Sequence, residues 1–151
     1  MPAYLVVIDE SEEARSALRF AARRAARTGG TVEIVALIPP PDFVQWGAVQ
    51  AAMEEEARLR AEAKVLQASG AIIEEAGIRP SITVKQGDPI KEVTNILKER
   101  EDIAALVLGA AAEGGPGPLV AHFAGTVAGS LPCPVVIVPG GLADETLDRL
   151  S

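Results

Sequence analysis

The alternation of short apolar runs with longer amphipathic segments restricts the fold of this chain more than any other feature of its sequence. Apolar runs rich in β-branched residues lie at 4–8, 31–38, 103–108 and 135–138, and a more polar run lies at 80–86. Runs of this kind are typical of strands buried on both faces of a parallel sheet, and the polar one is expected nearer an edge. Helical segments separate the five runs. This order predicts an α/β fold with a parallel, doubly wound sheet, helices on both faces and right-handed crossovers.

The first two helices are predicted from apolar residues that recur at helical intervals. After Ser11, alanines and Leu18 form one such face, and Gly29-Gly30 is a stop signal. A longer helix is predicted from about 49 to 76. Its buried stripe is expected to consist of residues at the same intervals, namely Leu59, Ala63, Leu66 and Ile73.

Two further helices are predicted in the second half of the chain. Asp88 is placed to cap a helix whose first turn contains Pro89. The buried stripe of that helix is expected to be Ile90, Val93 and Leu97. A glycine-rich loop after Gly109 leads to another helix, predicted from about 119 to 131.

Size and charge exclude several classes of protein. A chain of 151 residues fits one domain, and its net charge of −7 disfavours unspecific binding to nucleic acid or anionic membranes. No apolar run approaches the roughly 20 residues that a membrane span needs. The first residues, MPAYLVVIDESEE, lack the basic region of a signal peptide, so we expect a cytoplasmic protein. The single cysteine, Cys133, excludes an internal disulfide and a multi-cysteine metal site.

Three segments resemble the universal stress protein family, and together they span nearly the whole chain. They are YLVVIDESEEARSALRFAARRA near the start, KQGDPIKEVTNIL in the middle, and IAALVLGA followed by a loop, a helix and PCPVVIVP. The resemblance implies an open five-stranded parallel sheet with Rossmann-like winding, of the adenine nucleotide alpha-hydrolase-like type. It implies a domain over 1–140 followed by a tail over 141–151. It also implies a homodimer that forms through the final strand, Val135, Val136, Ile137 and Val138.

Many members of this family bind ATP beyond the carboxyl ends of the strands, where general principles also place a ligand in an open α/β sheet. The candidate residues at those ends are Asp9, Leu37, Gly87 and Gly109. In the ATP-binding members a pattern of spaced glycines ends in Gly-Ser or Gly-Thr. Here the pattern is degraded, because Ala112 stands at its second glycine and Ala121-His122 at its end.

The loop after Gly109 offers a second way to hold a phosphate. Gly114, Gly115 and Gly117 are candidates for an anion-binding nest, and His122 is a candidate phosphate contact. Pro116 and Pro118 weaken such a nest, because proline has no amide donor. Binding of ATP, ADP or AMP and the absence of any nucleotide therefore both remain open.

Several of these residues have structural explanations beside the functional ones. Asp9 is either a nucleotide contact or a helix-capping carboxylate, and Gly109 either approaches a ligand or leaves room for neighbouring backbone. His122 and Cys133 are both suited to packing. Trp46 either anchors its loop or offers a partner contact, and the tail either packs on a neighbouring subunit or frays.

The sequence favours a binding protein over an enzyme. It contains no Ser-His-Asp spacing, no metal-ligand cluster and no intact phosphate loop, so we identify no catalytic residue and no metal site. The first hypothesis is a homodimeric stress-response or regulatory module. The second is an ATP- or AMP-binding switch with at most slow hydrolysis. The third is a Rossmann-like enzyme acting on an adenylated or flavin substrate.

Overall fold

Five parallel strands form the centre of the computed structural model, which describes residues 2–9, 11–38 and 48–151. The strands are β1 (Ala3–Ile8), β2 (Thr31–Ile38), β3 (Ser81–Gln86), β4 (Ile103–Ala110) and β5 (Val135–Pro139). Their order in the sheet is β3-β2-β1-β4-β5. The chain thus moves outward from β1 in one direction, returns, and continues from β4 in the other, which is the doubly wound arrangement predicted.

Five helices connect or follow the strands. They are α1 (Glu12–Thr28), α2 (Ala48–Ala76), α3 (Pro89–Glu99), α4 (Pro118–Phe123) and α5 (Asp144–Leu150). The helices α1, α2 and α5 contribute to one hydrophobic core, and α3 and α4 contribute to a second. The sheet is therefore covered on both faces. In the described part of the chain, no helix is both long enough and apolar enough to span a bilayer.

The helix α1 follows its sequence closely. Ser11 caps its start, and Gly29 ends it with the left-handed backbone angle, φ 70°, that glycine adopts without strain. Its inner face is made of small residues, and Ala17, Ala21 and Ala25 are completely buried. Their small side chains let the helix axis lie close to the sheet.

The helix α2 extends as predicted, and Gly70 does not interrupt it, but of the predicted buried stripe only Ile73 packs against the core, where it is partly buried. Leu59 and Leu66 are 53% and 52% exposed. Val65, Ser69 and Ile72 are buried instead. The Ser69 hydroxyl donates a hydrogen bond to the Val65 carbonyl oxygen, which satisfies its polar group inside the core. The apolar residues of this helix fall on two stripes, and periodicity alone does not say which stripe meets the sheet.

The prediction of a helix over 119–131 was also wrong in its extent. The helix α4 ends at Phe123, and a short 3₁₀ turn at Ala128–Ser130 completes the connection to β5. The intervening residues Gly125, Thr126 and Val127 all have low helix propensity. The crossover is therefore made by turns rather than by a continuous helix.

The tail after β5 packs on its own chain. Leu147 of α5 is 1% exposed and belongs to the core that α1 forms. Arg19 donates to both carboxylate oxygens of Asp148, at 2.8 and 2.9 Å, and Arg15 contacts Asp144 at 3.3 Å. Of the two alternatives expected, fraying is not what the structure shows, because α5 is held against α1 of its own chain.

Candidate functional site

A pocket of about 340 Å³ opens at the carboxyl ends of β1 and β4, where the strand order reverses direction. Such switch points are the usual ligand sites of open α/β sheets. Most of its wall is aliphatic side chain or proline, and its polar groups come from the start of α1. Its lining includes Asp9, Ser11, Glu13, Leu37, Gly109 and Pro118.

Asp9 shapes the turn between β1 and α1. Its Oδ1 accepts a hydrogen bond from the Ser11 backbone N–H at 2.8 Å and another from the Ser11 hydroxyl. The Ser11 Oγ in turn accepts from the Ala14 N–H at 3.3 Å and caps the helix. The capping role expected of Asp9 thus belongs to Ser11, which Asp9 holds in place. The second carboxylate oxygen of Asp9 has no hydrogen-bond partner among the described residues, and the side chain is exposed beside the pocket.

Gly109 lies where α1 touches the end of β4. A Cβ at this position would be 2.0 Å from the carbonyl oxygen of Glu13, far closer than any real contact. Gly140, just after β5, is similarly confined, since its Cβ would be 2.8 Å from the Ala110 carbonyl oxygen. The close backbone approach considered for Gly109 is therefore present, and Gly109 also lines the pocket.

Two further glycines set the turns at the pocket mouth. Gly87 has φ 138° and Gly117 has φ 103°, angles that residues with a Cβ rarely adopt. The loop before Gly117 is closed by a hydrogen bond of 3.4 Å from the Ala111 N–H to the Pro116 carbonyl oxygen. Both glycines line the pocket, so this loop and the β3–α3 turn form opposite parts of its rim.

The structure brings together only part of the predicted set. Asp9, Leu37, Gly87, Gly109 and Gly117 line the pocket. Gly114, Gly115 and His122 do not line it, so they are not grouped with the other residues as expected. The two glycines are exposed in the loop after β4. The centroid of the His122 ring lies 4.9 Å from that of the Phe123 ring, and the two rings are perpendicular. Cys133 is half-buried beside the second core, and burial raises the pKa of its thiol, as expected of a packing residue. Trp46 lies outside the described residues.

Sequence reasoning missed two residues of the pocket and one close backbone contact. Ser11 was predicted only as the residue before the first helix, and Glu13 was not predicted to belong to a site, yet both line the pocket. Gly140 was counted as the last residue before the tail. The sequence does show that Gly140 directly follows β5. Its contact with Ala110, however, depends on the register between β4 and β5, which the sequence does not reveal.

The charge at the pocket is negative. Asp9 and Glu13 are the ionisable residues that line it. The arginines of α1 point toward α5: Arg19 and Arg23 contact Asp148 at 2.8 and 2.6 Å. The hydrogen bond from Arg19 holds the pKa of the Asp148 carboxyl below its usual range. No group of three or more potential metal ligands occurs in the described part of the chain.

The strand β5 forms one edge of the sheet, and among the described residues it pairs with β4 alone. Of the four residues predicted to form a dimer interface, Ile137 is 40% exposed and Val135 and Val136 are partly buried. Val138 is 2% exposed, because it packs into the core of its own chain. Its side chain is therefore not available to a second subunit, although its backbone belongs to the same edge strand.

Comparison with solved structures gives the same fold. The universal stress protein UspA from Lactobacillus plantarum superposes with a TM-score of 0.68 at 20% identity, covering 91% of this chain and 97% of that one. A universal stress protein in complex with cAMP gives 0.60 at 18% identity, covering 91% and 96%. The universal stress protein from Archaeoglobus fulgidus in complex with dAMP gives 0.52 at 21% identity, covering 91% and 97%.

Comparison with curated proteins gives no significant match. The model of the universal stress protein family, in contrast, matches residues 3–139, from the first residue of β1 to the last residue of β5. The match therefore includes every strand of the sheet and the whole lining of the pocket. On this evidence, the chain belongs to the universal stress protein family.

Proposed function

We propose that this protein is a cytoplasmic, homodimeric regulatory module of the stress response that acts by binding an adenine-nucleotide-class ligand in the pocket between β1 and β4. One observation carries the proposal. Residues from four separate parts of the chain, Asp9, Leu37, Gly87 and Gly109, line one cavity at the switch point of the sheet. Its volume of about 340 Å³ falls within the range of about 300–1,000 Å³ that is typical of small-molecule sites.

The chemistry of the lining suits a nucleoside. Aliphatic residues and prolines offer flat apolar surface to a base, and the Asp9 carboxylate oxygen that has no partner among the described residues is an acceptor for sugar hydroxyl groups. Structural neighbours are described in complex with cAMP and with dAMP, which supports the same ligand class.

Binding without catalysis fits the groups around this pocket. The one hydroxyl in the lining, that of Ser11, donates to Asp9 and caps α1. The hydroxyl is thus engaged in holding the start of α1, and the Asp9 oxygen that accepts from it also accepts from the Ser11 N–H. The His122 side chain lies outside the lining. The proposed output is therefore a change of state on binding and not a chemical product.

The homodimer is proposed to form by pairing across the outer edge of β5. An edge strand presents unpaired backbone donors and acceptors that a second strand satisfies. Ile137, exposed at the middle of β5, supplies the apolar side chain that such a contact would cover.

The experiment that tests this function is calorimetric titration of AMP into purified protein whose mass has been measured by sedimentation. We expect a dimer that binds AMP saturably, and Asp9→Ala to weaken binding by about tenfold, because it removes a charge-assisted hydrogen bond. Glu101→Ala is the matched control, since Glu101 is an exposed acid in the turn before β4, at the opposite end of that strand. Absence of saturable binding would refute the ligand part, and a monomer at micromolar concentration would refute the dimer.

A further inference from the structure

We infer that the pocket selects the nucleoside part of its ligand and discriminates against polyphosphates, so that adenosine binds more tightly than ATP. This inference rests on the proposed function, and it concerns which member of the ligand class the site prefers. Four features of the pocket carry it: the backbone at the end of β4, the loop on the opposite side, the charge, and the size.

The space beside the backbone at the end of β4 is already filled by α1. The carbonyl oxygen of Glu13 lies directly against Gly109, in the space that a Cβ would take. A carbonyl oxygen is a hydrogen-bond acceptor and repels phosphate oxygens. The room that this glycine provides is therefore filled by α1 and is not free for an anion.

The loop on the other side of the pocket is poor in donors. Pro116 and Pro118 both line the cavity and have no amide hydrogen. The Ala111 N–H, which precedes them, is directed to the Pro116 carbonyl oxygen. A loop that binds phosphate presents several free N–H groups to it, and this loop has lost part of that capacity.

The positive ends of α1, α3 and α4 all border the pocket, and the start of a helix attracts an anion. Acidic residues offset two of them, because Glu12 and Glu13 occupy the first turn of α1 and Glu92 that of α3. The helix α4 begins with Pro118, which has no amide hydrogen to offer.

The sequence contains no Lys or Arg between 1 and 14 or between 103 and 148. The two ionisable residues of the lining, Asp9 and Glu13, are thus both acidic. The basic residues nearest to lining residues in sequence, Arg15, Lys85 and Lys91, are exposed and outside the lining.

The size of the pocket leads to the same conclusion. A volume of about 340 Å³ lies near the lower end of the usual range of about 300–1,000 Å³. A base and a sugar fill a site of this size, so a triphosphate would have to share the remaining space with the two lining acids, Asp9 and Glu13. Each additional phosphate therefore adds repulsion without adding a partner.

The test is a competition series at constant ionic strength. Adenosine, AMP and ATP are titrated into the full chain and into Glu13→Gln, with EDTA and separately with magnesium. In EDTA we expect ATP to bind at least about tenfold more weakly than adenosine, and Glu13→Gln to reduce that ratio to about threefold, because it removes one like charge at unchanged shape. Glu101→Gln removes one charge at the far end of β4 and should leave the ratio unchanged.

The possible results separate this inference from the proposed function. Binding of ATP as tight as that of adenosine, unaffected by Glu13→Gln, would overturn the inference and leave the proposed function standing. ATP binding that becomes as tight as adenosine only with magnesium would also overturn it, since the carboxylates would then be holding a cation. Failure of all three ligands to bind would overturn both.

Discussion

The two long helices of this protein cover the same face of the sheet but are held there in different ways. The inner face of α1 is a continuous row of buried small residues, and its outer arginines pair with α5. The helix α2 is longer, yet only part of it reaches the core, through Val65, Ser69 and Ile72. Its other apolar stripe, which includes Leu59 and Leu66, faces solvent.

The difference shows what fixes a helix in this fold. In α1 there is one apolar stripe, so the sequence leaves a single orientation, and close approach is possible because the residues are small. In α2 two stripes compete, and the contact with β2 and β3 selects the less obvious one. The pocket depends on the first kind of helix, because the first turn of α1 supplies Ser11 and Glu13 to its wall.

The largest effect is expected from truncating a leucine in each helix. Leu18 of α1 is 2% exposed, and Leu18→Ala should lower the free energy of unfolding by about 2–5 kcal/mol, because it removes buried apolar surface and leaves a cavity. Leu66 of α2 is 52% exposed, and Leu66→Ala should change the free energy of unfolding by less than about 0.5 kcal/mol. Urea unfolding at neutral pH measures both.

A large effect of Leu66→Ala would break the comparison. It would mean that the outer stripe of α2 is covered in solution, and the concentration dependence of unfolding would then reveal a second copy as the cover. Equal, small effects of both substitutions would contradict the tight packing of α1.

The same contrast explains what sequence reasoning could and could not reach. The five strands, their order along the chain and α1 follow from local apolar patterns. The strands place Asp9, Leu37, Gly87 and Gly109 at one edge of the sheet, so this part of the site was predictable. Which stripe of α2 is buried, and the contact of Gly140 with Ala110, depend on distances between distant segments that no local pattern contains.

The second prediction concerns Gly109 and Gly70, whose substitution by alanine should change the free energy of unfolding in opposite directions. Gly109→Ala should lower the free energy of unfolding by about 1–3 kcal/mol or more, because its Cβ would press on the Glu13 carbonyl and displace the first turn of α1. Gly70→Ala should raise it by about 0.5–1 kcal/mol, since the site is open, lies inside α2, and alanine is the better helix former.

Thermal unfolding of the two variants beside the unmodified protein measures these signs. Gly109→Ala should also weaken AMP binding, because Gly109 and Glu13 both line the pocket, whereas Gly70→Ala should leave binding unchanged. If Gly109→Ala proved neutral, the close contact between β4 and α1 would be disproved.

The smallest effect is expected from the ion pairs, and it depends on pH. Arg19 holds the pKa of the Asp148 carboxyl below its usual value, so the α1–α5 contact contributes stability above the unfolded pKa of about 3.9 and loses it as the pH falls through the lower folded value. Asp148→Asn should therefore cost about 1 kcal/mol at pH 7, since the carboxylate contacts both Arg19 and Arg23, and the cost should decrease below about pH 4.

On α2, Glu55 forms an exposed ion pair with Arg58, and Glu55→Gln should produce no measurable change in the free energy of unfolding. Urea unfolding of both variants at pH 7 and pH 3 distinguishes the two pairs. A cost of Asp148→Asn that is the same at both pH values would show that the carboxylate stabilises α5 by packing rather than by charge, and α1 would then owe its position to its buried alanines and Leu18 alone.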